Sequence, residues 1–148
     1  MSKLYELYKA VGNEAFSHEI TKIAPYFGTI DPMFVALRPG YAEVTMPNTP
    51  EVHNHIGSVH AIAMCNAAEV AAGLMTEVSI PKNCRWIPVG MSVKYLARAS
   101  TDLRAIADGS GIDWEIPGDK DVPVSITDTE GVEVCCAEIT MKVSELTK

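Results

Sequence analysis

The segment HNHIGSVH, residues 53–60, contains three of the four histidines of the chain. Imidazole nitrogens bind zinc or iron, and they also transfer protons in catalysis. His53 and His55 would diverge on an extended segment, His60 would lie on a helix, and no acidic or thiol ligand has an obvious place beside them. The spacing therefore predicts no metal site. In the alternative interpretation, His53 and His55 are hydrogen-bonding residues of a loop that leads into a helix.

Glu69 is the only acidic residue between Glu51 and Glu77, and it stands among residues small enough to bury it. Burial raises the pKa of a carboxyl group and removes its water, which suits a general base or a nucleophile. The alternative is that Glu69 lies on the exposed side of a helix, and periodicity does not distinguish the buried position from the exposed one. Nine residues put His60 and Glu69 about 180° apart around a helix, so they do not easily share a site within one chain. In a dimer, the first helical turn of one subunit could face Glu69 of the other.

A local excess of positive charge lies between residues 82 and 104 of an acidic chain with a net charge of −7. The overall charge disfavours a nucleic acid or an anionic membrane as partner, and it opposes the nuclease family in which the letters HNH also occur. An anionic ligand must therefore meet local basic residues, unless these are simply solvated beside strands. Arg98 is the first candidate for a phosphate contact. Against the single acid Asp102, the basic residues are Lys82, Arg85, Lys94, Arg98 and Arg104.

The length of 148 residues and the 47% hydrophobic content predict one domain over residues 1–148, with an N-terminal helical segment over 1–24. The four cysteines form no C-x-x-C pair, which predicts reduced thiols. No run approaches the roughly 18 apolar residues of a membrane span. A soluble, cytoplasmic protein is therefore expected.

Helical spacing of leucine and tyrosine predicts a helix over residues 3–10 that Gly12 ends. A second helix, capped by Asn13 or Ser17, would stop by Pro25. The runs MFVAL and YAEVTM on either side of RPG predict a β-hairpin. The following stretch, over residues 57–76, has no proline, a serine at the N-cap position and many alanines, which predicts one long central helix.

Beyond this helix, MSVKYLA, DLRAIAD, VPVSITD and VEVCCAEITMKV predict four strands, and residues 109–119 are the predicted flexible loop. Two strands, one apolar helix and four strands are typical of an α+β fold in which one antiparallel sheet curls around a central helix. This is the hot-dog architecture. An isolated curled sheet leaves a long edge exposed, so a homodimer or a dimer of dimers is expected.

The segment NHIGSVHAIAMCNAAE resembles the active-site segment of hot-dog thioesterases of the phenylacetate-pathway type. Their pattern is an Asn or Gln, a Gly, then His-Gly-Gly and an acid nine residues after the His. Here Asn54 lies six residues before His60, Gly57 lies three before it, and Glu69 lies nine after it. RWIPVGMSVKYLARASTDLRAIAD is similar to the segment that follows the helix in these enzymes. APYFGTIDPMFVALRPGYAEVTM is similar to the opening of a DUF-labelled hot-dog subgroup related to a domain fused to acetyltransferases.

The resemblance, which covers most of the chain from about residue 24, implies an acyl-CoA thioesterase without a cofactor. It implies that Glu69 is the nucleophile or general base and that Asn54 helps to hold the attacking water or the thioester. A backbone N–H of Ala61 or Ile62 would polarise the carbonyl. The further site candidates are His60 and Gly57 at the start of the helix and, for substrate binding, Arg98, Lys94, Arg85 and His55.

Two positions depart from the family pattern. His-Ala-Ile replaces His-Gly-Gly, which adds side chains where the thioester approaches, and Gly73 stands where some members have a water-orienting Thr. Two other functions stay open. A hot-dog dehydratase would pair a His with an acid fourteen residues later, as His55 and Glu69 do, although its accompanying Phe-Pro and Pro-Gly are absent. The third possibility is a non-catalytic acyl-CoA binding protein.

Overall fold

The N-terminal segment is a single kinked helix in the computed structural model, which describes residues 2–147. This helix, α1 (Lys3–Ile23), is capped by the Ser2 hydroxyl. Gly12 has φ 81° and ψ −179°, a conformation that residues with a side chain rarely adopt. The predicted end at Gly12 is therefore a kink between two helical pieces. Beyond the kink, Phe16 and Ile20 are buried in the core.

Six strands form one antiparallel sheet, as the sequence predicts, in the order β1–β2–β4–β5–β6–β3. One strand is much longer than predicted: β3 begins at Cys84 rather than Met91. Pro88 and Gly90 remain in the strand because a β-bulge between them lets its pairing with β6 continue. The strands are β1 (Met33–Arg38), β2 (Tyr41–Met46), β3 (Cys84–Tyr95), β4 (Leu103–Asp108), β5 (Gly118–Thr127) and β6 (Glu133–Glu145).

The central helix α2 (Ala61–Ser79) packs against the concave face of this sheet. It begins four residues later than predicted, and its N-cap is His60 rather than a serine. Among the described residues, α2 alone is long and apolar enough to cross a membrane, but 67% of its most apolar window is buried inside the protein. It is therefore the core helix of the fold. The predicted hot-dog architecture is confirmed.

Two 3₁₀ helices connect these elements, a first one over Pro25–Ile30 and a second over Pro50–Val52. The first follows α1 and lies against α2. The second precedes residues 53–60, which we call the histidine loop. The loop over residues 109–119, predicted to be flexible, holds Trp114 in the core, where its Nε1–H donates to the Gly109 carbonyl at 3.1 Å.

Candidate active site

Glu69 lies on the face of α2 that the sheet does not cover. Its neighbours Ala68 and Val70 are fully buried, whereas Glu69 itself is half-buried. The edge strand β3 borders one side of this face and, among the described residues, has no neighbouring strand on its outer side. The carboxylate therefore borders both the protein interior and the solvent.

A cavity of about 160 Å³, here called the Glu69 cavity, lies between α2, the first 3₁₀ helix and β3. The bulge in β3 shapes this space. Trp86 and Met91 pair with the buried residues Val143 and Ile139 of β6, so both side chains face α2. In a regular strand, residues five positions apart would face opposite sides. The lining residues are Tyr26, Ile62, Cys65, Asn66, Glu69 and Met91.

A second cavity of about 250 Å³, here called the N-terminal cavity, lies at the start of α2. It shares Tyr26, Ile62 and Asn66 with the Glu69 cavity, so the two adjoin. His60 and Glu69 therefore line neighbouring cavities of one chain, although they do not share a single one. The other lining residues are Thr29, Ile30, Glu51, Val52, His53, His60 and Ala63.

The His60 imidazole decides which backbone N–H is free at the start of α2. Its Nδ1 accepts a hydrogen bond from the Ile62 N–H at 3.0 Å, which satisfies one of the helix's unpaired donors. Of the two predicted carbonyl-polarising donors, only the Ala61 N–H has no acceptor among the described residues. Within residues 2–147, the Ala61 N–H is therefore the donor of this pair that remains free at the start of α2.

The side chain of Asn54 organises the histidine loop. Its Oδ1 accepts from the N–H groups of Ile56 at 3.0 Å and Ser58 at 3.1 Å, and its Nδ2 donates to Ser58 Oγ at 2.8 Å. Gly57, with φ +80°, makes the turn possible. Asn54 lines neither cavity. A single chain therefore does not bring Asn54 to Glu69.

His53 is a hydrogen-bonding residue of the loop, as the alternative to a metal site predicts. Its Nε2 lies 2.6 Å from Asn48 Oδ1, and the Asn48 backbone N–H donates to Asp102. His55 is exposed and lines neither cavity. Within residues 2–147, no three His, Cys, Asp or Glu side chains are grouped so that they could share a metal ion.

The basic residues of the 82–104 stretch fall into separate places. The Arg98 guanidinium donates to the Ile56 carbonyl at 3.0 Å, which puts it beside the histidine loop. Lys94 is exposed near the same end of β3, but Arg85 lies nine residues away, about 30 Å along an extended strand. Arg104 pairs with Glu43 of β2. Within one chain, Arg98 therefore lies beside the histidine loop, but none of Arg98, Lys94 and Arg85 lines the Glu69 cavity or the N-terminal cavity.

Asn66 is a site residue that the sequence reasoning missed. It is buried, and its Nδ2 donates to the Tyr26 carbonyl at 3.3 Å and to Thr29 Oγ1 at 3.1 Å. The Thr29 hydroxyl donates to the same Tyr26 carbonyl, so the amide nitrogen must face them. Asn66 Oδ1 is left without a donor among the described residues. Its position three residues before Glu69 places it on the same face of the helix, and this spacing could have identified it from the sequence.

The sheet order and the wrapped central helix define a hot-dog fold. A structural-genomics protein of known crystal structure is 57% identical and superposes with a TM-score of 0.89 over 97% of each chain. A Pseudomonas aeruginosa protein of unknown function, also named "Probable Thioesterase", is 21% identical (TM-score 0.78, covering 87% of this chain and 93% of that one). A thioesterase from Staphylococcus aureus is 16% identical (TM-score 0.72, covering 80% and 98%).

Residues 12–143 match the model of the family described as "Domain of unknown function (DUF4442)". The chain belongs to this family. No curated protein matches the sequence.

Proposed function

We propose that this protein hydrolyses acyl-CoA thioesters with Glu69 as the general base or nucleophile. The observation that carries the proposal is the half-buried carboxylate of Glu69 in a cavity beside the unpaired edge of β3. Within one chain, Ala61 and Glu69 are eight residues, about 12 Å, apart along α2, so the carbonyl that Glu69 attacks is held at the start of α2 of a second copy. The thioesterase names of two proteins of the same fold support this reaction class.

Hydrolysis of a thioester requires hydrogen-bond donors that stabilise the negative charge on the carbonyl oxygen, and a base or a nucleophile beside the carbonyl carbon. As a base, Glu69 takes a proton from water, whose oxygen attacks the carbonyl carbon. As a nucleophile, its carboxylate attacks the carbonyl carbon itself, and water then hydrolyses the acyl-enzyme. In both cases the Ala61 N–H of the second copy and the positive end of its α2 stabilise the developing oxyanion, and the C–S bond breaks to release the thiolate, which is then protonated.

The spacing of Asn54 and Glu69 supports a joint role. Crystal structures exist of two variants of the Staphylococcus aureus thioesterase, a Gln-to-Ala and a Glu-to-Ala substitution fifteen residues apart. The same interval separates Asn54 from Glu69. We propose that Asn54 serves the same reaction, and that the two residues meet between two copies of the chain.

The proposed second copy pairs with the outer edge of β3. Ile87 and Val89 on this strand are 60% and 54% exposed, and Met91 on the same strand lines the Glu69 cavity. A long, apolar, unpaired edge is a template for another strand. A copy bound there covers the Glu69 cavity and brings its own histidine loop toward Glu69. Arg98 and Lys94 then contact the CoA phosphates, with Arg85 supplied by the second copy.

The experiment is a thiol-release screen over acyl-CoAs of different length and aromaticity, with Glu69→Gln and the exposed Glu138→Gln as matched variants. We expect turnover by the native protein and Glu138→Gln, and none by Glu69→Gln. Saturable acyl-CoA binding without thiol release from any substrate would instead identify a non-catalytic binding protein. Loss of 3-hydroxyacyl-CoA dehydration in His55→Ala would identify a dehydratase.

A further inference from the structure

We propose that a third cavity, here called the apolar cavity, holds the aliphatic end of the substrate's acyl chain. Its volume is about 220 Å³. The inference rests on the proposed thioesterase function and names the acyl class: an unbranched, unsubstituted chain of medium length. The lining residues are Leu4, Ile20, Ile23, Ala24, Phe27, Leu74, Glu77 and Trp86.

The lining chemistry selects an apolar occupant. Glu77 is the one ionisable residue of the lining, and its Oε2 accepts the hydrogen bond of Trp86 Nε1–H at 2.7 Å. The remaining side chains are aliphatic or aromatic. Apart from the Glu77 carboxylate, a hydroxylated or charged acyl group would find no polar side chain in this lining to replace its water. An alkyl chain gains by leaving water.

The apolar cavity lies further along α2 than the Glu69 cavity, toward the C-terminal end of the helix. The same three elements line it and the Glu69 cavity: the first 3₁₀ helix, α2 and β3. The adjacent residues Tyr26 and Phe27 of the 3₁₀ helix line one cavity each. Glu77, which lines the apolar cavity, follows Glu69 by eight residues, about 12 Å along the helix axis and about 80° around it. An acyl chain whose carbonyl lies at Glu69 therefore reaches the apolar cavity by running toward the end of α2.

Gly73 and Trp86 form the floor between the two cavities. The Trp86 ring lies directly on Gly73, where a Cβ would be 2.9 Å from Cη2. The indole covers the helix backbone at this point, so the acyl chain passes over the ring of Trp86. The cavity volume corresponds to about seven water molecules of liquid, which suits the end of a medium-length alkyl chain.

The two tryptophans of the chain allow a binding test that needs no turnover. Trp86 lines the apolar cavity, whereas Trp114 lies in the core beside Gly109. The probe is ω-bromodecanoic acid, whose bromine quenches indole fluorescence on contact, and bromopropionic acid is the short control. We expect saturable quenching by the long acid in Trp114→Phe, which retains Trp86, and no saturable quenching in Trp86→Phe. Equal quenching in both variants, or none in either, would overturn the proposal.

A rim variant provides a second test in case Trp86→Phe does not fold. Ile23 is 60% exposed at the mouth of the cavity, so Ile23→Glu adds a charge there without disturbing the core. In the Trp114→Phe background we expect it to weaken binding of the long acid by about tenfold or more. The matched control, Val11→Glu, lies elsewhere on α1, is 42% exposed, and should leave binding unchanged. Equal effects of the two substitutions would contradict the subsite.

Hydrolysis measurements separate this subsite from the proposed function. We expect Ile23→Glu to lower kcat/KM for decanoyl-CoA by about tenfold while leaving acetyl-CoA unaffected. Saturable quenching without hydrolysis of any acyl-CoA supports the subsite and overturns the thioesterase assignment. Hydrolysis of decanoyl-CoA without quenching overturns the subsite alone. A Trp86 emission that changes with protein concentration, and not with the probe, assigns the cavity to a second copy of the chain.

Discussion

The indole of Trp86 rests on Gly73, so that a Cβ at position 73 would lie only 2.9 Å from Trp86 Cη2. Position 73 is one helical turn beyond Glu69, where some members of the resembling thioesterase family have a Thr that orients water. In this protein Trp86, reaching across from β3, fills the space that such a side chain would need. The packing of Trp86 from β3 therefore explains why position 73 is a glycine.

Gly73→Ala should destabilise the protein by about 1–3 kcal/mol, because the indole has to move out of a packed position. The penalty should be smaller when Trp86→Leu is introduced as well, since the clashing ring is then absent. Urea unfolding of the two single variants and the double variant measures the coupling. Strictly additive destabilisation would contradict the contact.

Glu69→Gln should remove thioester hydrolysis and leave the fold intact, because the amide neither accepts a proton from water nor attacks a carbonyl. Thiol release and the unfolding midpoint are measured on the same preparations. Glu138→Gln, an exposed change on β6, is the control for loss of a carboxylate. Undiminished turnover in Glu69→Gln would show that another group performs the chemistry.

His60→Ala should cost about 1 kcal/mol of stability, because α2 loses the acceptor of the Ile62 N–H. His60→Asn should restore most of this loss, since Asn is a good N-cap residue. The free energy of unfolding in urea distinguishes the variants, and the exposed His18→Ala serves as the reference for a histidine change elsewhere. If His60→Ala and His18→Ala have equal stability, the cap is not significant.

Val89→Lys should convert the proposed homodimer into a monomer, because a charge at the bulge of β3 opposes pairing of two apolar edges. Activity should fall with dimer content, since the site is proposed to be completed by the second copy. Sedimentation velocity over a range of concentrations gives the oligomeric state. Val132→Lys, at a 47% exposed position outside the strands, is the matched control and should remain dimeric. A native protein that is monomeric at all concentrations would refute the proposed pairing.

Cys135 should resist alkylation in the native protein. Burial, with smaller contributions from Cys65, Cys136 and Glu133, raises the pKa of its thiol from about 9 to about 11, so its thiolate fraction at pH 8 falls about a hundredfold. Iodoacetamide labelling followed by mass spectrometry should modify Cys84 first and Cys135 only after unfolding. Because the folded-state pKa is the higher one, this group favours folding below pH 9, and that contribution is lost as the pH rises toward 11. Equal labelling rates of Cys84 and Cys135 would contradict the burial.

Local patterns were sufficient to place the candidate acid and most of the secondary structure. The alanine-rich run predicted α2, the Pro-Gly turn predicted the first hairpin, and the order of the elements along the chain predicted the α+β fold. Helix boundaries were less accurate. The helix α2 begins later than predicted because the Nδ1 of His60 caps it, whereas the usual preference for serine at this position favoured an earlier start.

The sequence by itself determined the α+β order, the single long core helix and the position of Glu69 upon it, because these depend on periodicity between near neighbours. Only the tertiary structure decided that the Glu69 face of α2 stays uncovered and that Trp86 meets Gly73. It also separated Arg85 from Arg98 and, within residues 2–147, left Asn66 Oδ1 without a donor. These relationships depend on the register and bulge of β3 against β6, which pairs residues far apart in the chain. No local pattern in the sequence specifies that pairing.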